Sequence, residues 1–152
     1  IFSGLFLNKN EHQEIKTRIN HMFPNSKSFQ KIKNVLNSES KGIFQGKIFV
    51  KDIAQKTDAY QLSKALLLDE NSEFNSKPEL EIYADDVKCT HGSASGSIDE
   101  NSLHYLMTRG LNKKAASKLL VKGFLNDIIE FIKSSSIKKF IENKLEEQLN
   151  GY

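Results

Sequence analysis

Short apolar-rich segments recur at nearly even intervals over the first 50 residues: IFSGLFL at 1–7, EIKTRINHM at 14–22, FQKIKNVL at 29–36 and IFQGKIFV at 43–50. Their midpoints fall about 14 residues apart. Several alternate with the period of a strand, Ile43 and Gln45 against Phe44 and Gly46, then Ile48 and Val50. The polar connections NKNEH, PNSKS and NSESKG are too short to hold a crossover helix, so strand must follow strand. An antiparallel sandwich and a parallel β-helix both suit this spacing. The connections lack the Asn-Gly and Asp-Gly pairs of tight hairpins, which favours the solenoid.

Further on, ALLL at 65–68 reads as a buried strand or a short helix, and DENSEFNSKP at 69–78 reads as a loop ending at Pro78. ELEIYA alternates again, with Leu80, Ile82 and Ala84 expected inward and Glu79, Glu81 and Tyr83 outward. From residue 97 the period becomes helical. Ser97-Ile-Asp-Glu100 fits a capping box, Leu103, Leu106 and Met107 share a face, and Gly110 suits the stop. A second helix is expected after Asn112 to about Ile132, its apolar face formed by Ala116, Leu120, Phe124, Ile128 and Ile132. The serines at 134–136 interrupt it, and a third, amphipathic helix follows with Ile137, Phe140, Ile141, Leu145 and Leu149. The expected layout is a mainly β region over 1–96 and a C-terminal α-helical region over 97–152.

Composition narrows the class. A chain of 152 residues can form one compact core with a small appendage. Its 38% hydrophobic content includes no apolar run near the roughly 18 residues that a membrane span needs, so membrane insertion is not expected. The net charge of +3 is spread along the chain with only two arginines, Arg18 and Arg109, which argues against a nucleic-acid face. One cysteine excludes an intramolecular disulfide and points to a reducing, cytoplasmic compartment. The chain opens inside an apolar pattern at Ile1, which suggests protein upstream; a transit peptide there would place it in a plastid-like organelle instead.

The candidate chemistry lies in ADDVKCTHG at 84–92. If 87–91 is extended, Cys89 and His91 point to the same side, within reach of one ion. Two donors fall short of the about four that a tetrahedral metal or an iron–sulfur cluster takes. The only other histidines are His12, His21 and His104, so such a centre would need donors from a second chain. Free cysteine is also a common small core residue, and the residues alone leave both readings of Cys89 open. Asp85 and Asp86 raise a β-helix carbohydrate hydrolase as an alternative, although neighbours on a strand face opposite ways. Asp58, in QKTDAYQ, reads as a turn residue. No Gly-rich phosphate loop is present.

Several segments together resemble the SufB/SufD family of the SUF iron–sulfur cluster assembly machinery, nearest its SufD branch. They are F-x-G-K-I-x-V at 44–50, Q-K-T-D-A-x-Q at 55–61, S-K-P-x-L-E-I-Y-A-D-D-V-K-C-x-H-G at 76–92 and Y-L-x-x-R-G at 105–110. The resemblance covers about residues 15–132; SASG at 93–96 stands where the family more often has A-T-x-G. It implies a right-handed parallel β-helix followed by a C-terminal helical region, with 1–96 as the last part of a longer β-helix core. It further implies a non-catalytic scaffold subunit that pairs with a SufB-like subunit and docks a SufC-like ABC-type ATPase. His91 then corresponds to the histidine of a nascent cluster shared with the partner chain, and Cys89 is a second ligand or a packing residue. The cluster would be transient and form only in the full complex, where a flavin is a further expectation; this stretch alone would hold no cofactor. Arg109, Gly110 and Lys122 are the docking candidates for the ATPase. The unpaired strand edges of a solenoid also allow a homodimer, or a plain interaction module as another alternative.

Overall fold

The computed structural model describes residues 1–150. Seven strands come first: β1 Phe2–Lys9, β2 His12–His21, β3 Lys27–Asn37, β4 Lys41–Val50, β5 Asp58–Leu67, β6 Glu73–Ile82 and β7 Lys88–Ser97. Three helices follow: α1 Glu100–Thr108, α2 Lys113–Ile129 and α3 Ser135–Asn150. All strand pairing is parallel, in two sheets ordered β1-β3-β5-β7 and β2-β4-β6. Phe2 pairs with Gln30, Lys27 with Asp58 and Asp58 with Lys88, so one coil takes about 30 residues and holds two strands. This is the parallel β-helix that the even spacing predicts, with about three turns.

The coils stack because each strand's backbone groups can be satisfied only by the coils above and below it. Corners stack as well: the Asn25 N–H donates to Gln55 O at 2.9 Å and the Lys56 N–H to Asp86 O at 2.6 Å. Asn25 and Lys56 both adopt positive φ there. Inside, Ile32, Leu36, Phe44, Ile48 and Val50 are fully buried. Polar residues also point inward and hydrogen-bond between coils and sheets, among them Gln30 to Gln61 and Ser63 to Ser76 and Ser93, although Gln30 Oε1 has no partner.

β3 is buried along almost its whole length because α2 covers its outer face. Val35 there joins Val121, Leu125, Ile129, Leu145 and Leu149 in one cluster, against which Leu5, Leu7 and Leu66 pack. The helical region is therefore a layer on one sheet. A charged lock sits at the same junction. Lys31 and Lys33, outward on β3 and nearly inaccessible, reach Asp127 of α2 at 2.7 and 2.6 Å. The Lys33 ammonium also donates to the Phe124 carbonyl.

Several expectations are corrected. The segment 69–78 is a loop only to residue 72; from Glu73 it is strand β6, including Pro78. Proline is tolerated because β6 is an edge strand, where its missing N–H can lie on the unpaired side. Asp58, read as a turn residue, opens strand β5; of ALLL, Ala65–Leu67 end that strand, as one of its two readings had it, and Leu68 follows it. The α1 cap is Asp99, whose carboxylate accepts the Ser102 N–H at 2.8 Å, while Ser97 still belongs to β7. Met107 is exposed and only Leu103 of that face is buried. α2 ends at Ile129, and its buried face is Ala116, Val121, Leu125, Ile128 and Ile129. A strict step of four drifts off one face of a helix with 3.6 residues per turn, which leaves Leu120 and Phe124 at its margin.

Candidate functional site

β7 ends its sheet, paired on one side with β5 and, among the described residues, with nothing on the other. Its register sets Cys89 beside Ala59, His91 beside Gln61 and Ser93 beside Ser63. Side chains of in-register parallel neighbours project to the same face. Ala59, Gln61 and Ser63 are all buried in the coil interior, so Cys89, His91 and Ser93 lie on the inner face of the last coil. Among the described residues no later coil covers them: His91 is exposed and Cys89 half-buried, while Ile82 on the opposite sheet is 37% exposed.

The two donors rest on different floors. Cys89 packs against the apolar cluster of Ile48, Val50, Ala54, Ala59 and Ala84. Burial there pushes its thiol above the ordinary range, with a smaller push from the Asp58 charge, against a backbone hydrogen bond from Ala59. His91 stands over Gln61, a polar residue at 1% exposure. The strand therefore brings thiol and imidazole together on one face, as their spacing requires. Among the described residues, no three His, Cys, Asp or Glu side chains converge to hold a metal ion.

The other candidates separate. His21 is buried with Nδ1 2.6 Å from the Ser26 hydroxyl and Nε2 2.9 Å from the Ser28 hydroxyl, and desolvation lowers its pKa. It closes the β2–β3 corner. His12 and His104 are exposed, on β2 and α1. Asp85 and Asp86 lie exposed in the bend before β7. The Asp86 N–H donates to Gln55 Oε1 at 2.9 Å, and the adjoining cavity of about 330 Å³ is lined by three lysines and two aspartates without an aromatic ring. That lining is not the carboxylate and aromatic groove of a glycan hydrolase.

Arg109 caps α1 and stacks over the Tyr105 ring at 5.1 Å. Gly110 follows at φ 97°, a conformation that favours glycine. Lys122 lies on α2 and is held by Glu146 of α3 at 3.0 Å. Sequence reasoning missed Gln61 as a neighbour of His91. Its only signal was the quoted QKTDAYQ segment, since a buried glutamine breaks the apolar alternation that marks a strand.

The structure is a parallel β-solenoid with a helical layer on one sheet and, among the described residues, an uncovered last coil that carries thiol and imidazole on one face. The chain belongs to the family described as SUF system FeS cluster assembly, SufBD core domain, whose pattern matches residues 1–124. It is 33% identical over 143 residues to the iron-sulfur cluster assembly protein SufD of Escherichia coli (strain K12), covering 94% of this chain and 34% of that protein. It is 36% identical over 120 residues to an iron-sulfur cluster assembly SufBD family protein of Synechocystis, covering 79% and 26%. It is 37% identical over 109 residues to the chloroplastic protein ABCI7 of Arabidopsis thaliana, covering 72% and 23%. The chain thus spans about a third or less of the length of these relatives. No helix among the described residues is long and apolar enough to cross a membrane.

Proposed function

We propose that the chain forms the last coils and helical layer of a non-catalytic scaffold subunit in SUF iron–sulfur cluster assembly. In this reading the β region (1–96) meets a SufB-like subunit at its open edge, and the helical region (97–152) docks a SufC-like ATPase near Arg109, Gly110 and Lys122. His91 supplies an imidazole to a nascent cluster whose remaining donors come from the partner. Iron and sulfide are cargo, received and passed on. The observation that carries the reading is the exposure of His91 on the inner face of an uncovered terminal strand, with Cys89 alone beside it. An imidazole there is open to a second chain, and it has too few neighbours to complete a site without one.

The two donors are not equal in this scheme. Cys89 packs against the apolar cluster of Ile48, Val50, Ala54, Ala59 and Ala84, so in this reading it is the packing residue and the exposed His91 is the ligand. The test is His91→Ala in the full-length protein assembled with its partner subunits, reading iron and acid-labile sulfide. Loss of both with unchanged circular dichroism and partner binding is expected; wild-type loading would overturn the ligand role.

A further inference from the structure

A cavity of about 410 Å³ opens where the last residue of β3, the residue after β5, the first turns of α2 and the last turn of α3 meet. Its inner wall is apolar. Val121 and Leu149, at 2% and 1% exposure, belong to the cluster that joins helices to sheet, and Leu68 packs against them. Lys113, Lys114 and Lys118 stand around this wall, and Ser117 and Asn37 add a hydroxyl and a carboxamide. Among the described residues, no carboxylate lines the cavity.

Three lysines around one space repel one another unless acids answer them. Lys118 is answered, since its ammonium reaches Glu146 at 2.6 Å and Asn150 Oδ1 at 2.6 Å. Lys113 and Lys114 are exposed and, among the described residues, make no ion pair. They also open α2, whose first turn holds no acid, although that end of a helix favours anions and disfavours cations. A negative group from outside would relieve both conflicts. The groove on the other side of Lys113 and Ser117 carries Asp69, Glu70 and Glu100 and would repel such a group. An anionic head therefore belongs at Lys113 and Lys114, and an apolar body attached to it would lie in the cavity, against Leu68 and the aliphatic stems of the lysines.

We propose that this cavity binds a small amphipathic anion, an apolar chain with a carboxylate or phosphate head. Ligand cavities commonly measure about 300–1,000 Å³, with mostly apolar walls and a few convergent polar groups; this one lies at the small end, which suits a chain of about eight carbons. The site lies on the helical layer, uses neither His91 nor Cys89, and stands apart from the cluster-assembly reading.

The experiment is isothermal titration calorimetry of the full-length protein with octanoate, octyl phosphate, octanol and octylamine, each below its micelle concentration. One site is expected that takes the anions about fivefold more tightly than octanol, the gain of two exposed charge contacts, and octylamine more weakly still. Octanoate against octyl phosphate tells a carboxylate head from a phosphate head. Lys113→Gln combined with Lys114→Gln should bring both anions to the octanol level and leave octanol unchanged. Ser117→Phe, which fills the cavity, should abolish binding of all four, with circular dichroism confirming that the helices are retained. No binding of either anion to the wild type up to about 10 mM would overturn the proposal, as it would if another stretch of the full-length chain fills the space. Equal affinities for anion, alcohol and amine would overturn it too, because the lysines would then play no part. So would undiminished octanoate binding in the double lysine variant, a result that stands whether or not Ser117→Phe folds.

Discussion

Replacing Asp127 with alanine removes the one carboxylate between two lysines whose side chains are 11% and 6% exposed. Deleting one partner of a buried ion pair costs about 3–5 kcal/mol, because the remaining charge has lost its counter-ion and cannot be fully hydrated. Two features lower the figure here. The Asp127 side chain is 46% exposed, so water can enter where it stood. Lys33 keeps its bond to the Phe124 carbonyl and its place over the Phe124 ring, and Lys31 lies over the Phe131 ring. A loss of about 2–3 kcal/mol is the consequence, or about 5–10 °C in Tm for a domain of this size. Urea denaturation followed by circular dichroism reads it directly. If the loss reflects stranded charge, Lys33→Met in the Asp127→Ala background should recover part of it, because an apolar side chain is at home under α2. A loss below about 0.5 kcal/mol, the size of an ordinary surface change, would refute the reasoning. So would a double variant less stable than either single one.

Three further outcomes follow. Desolvation raises the Asp127 pKa, but hydrogen bonds from Lys31 and Lys33 outweigh it, so the folded value lies below the unfolded one; its contribution is complete above about pH 4 and is lost as pH falls through the folded value, so Asp127→Asn should flatten the acid limb of Tm against pH. Burial holds the Cys89 thiol protonated, so iodoacetamide at pH 8 should modify it more slowly than the same cysteine in urea-unfolded protein; equal rates would contradict the apolar floor. Asp99→Ala should lower Tm measurably as a lost helix cap and Ser97→Ala should leave it almost unchanged, and the reverse order would restore the capping box expected at Ser97.

The strands that sequence reading found are those whose inward positions are apolar, such as Phe44, Ile48 and Val50 of β4. It lost the start of β5 and most of β6 because Gln61, Ser63 and Ser76 point inward there. A buried serine or glutamine looks like loop in sequence; only a partner from another coil, Ser76 with Ser63 or Gln61 with Gly46, makes it an interior residue. The same holds for Lys31 and Lys33. Alternation puts them outward, and nothing local says that Asp127, far along the chain, will cover them.

At the site, spacing sufficed to set Cys89 and His91 on one face, since the two-residue period of a strand is a local property of the backbone. Counting donors was equally local, and it said that the pair is incomplete. Which face they share, that the face lies at an uncovered end, and that an amide stands under one donor and an apolar floor under the other depend on residues about 30 positions away. Stacking of coils decides those neighbours, because in a parallel solenoid the contacts of each residue are set by the register between coils rather than by the order of residues within one.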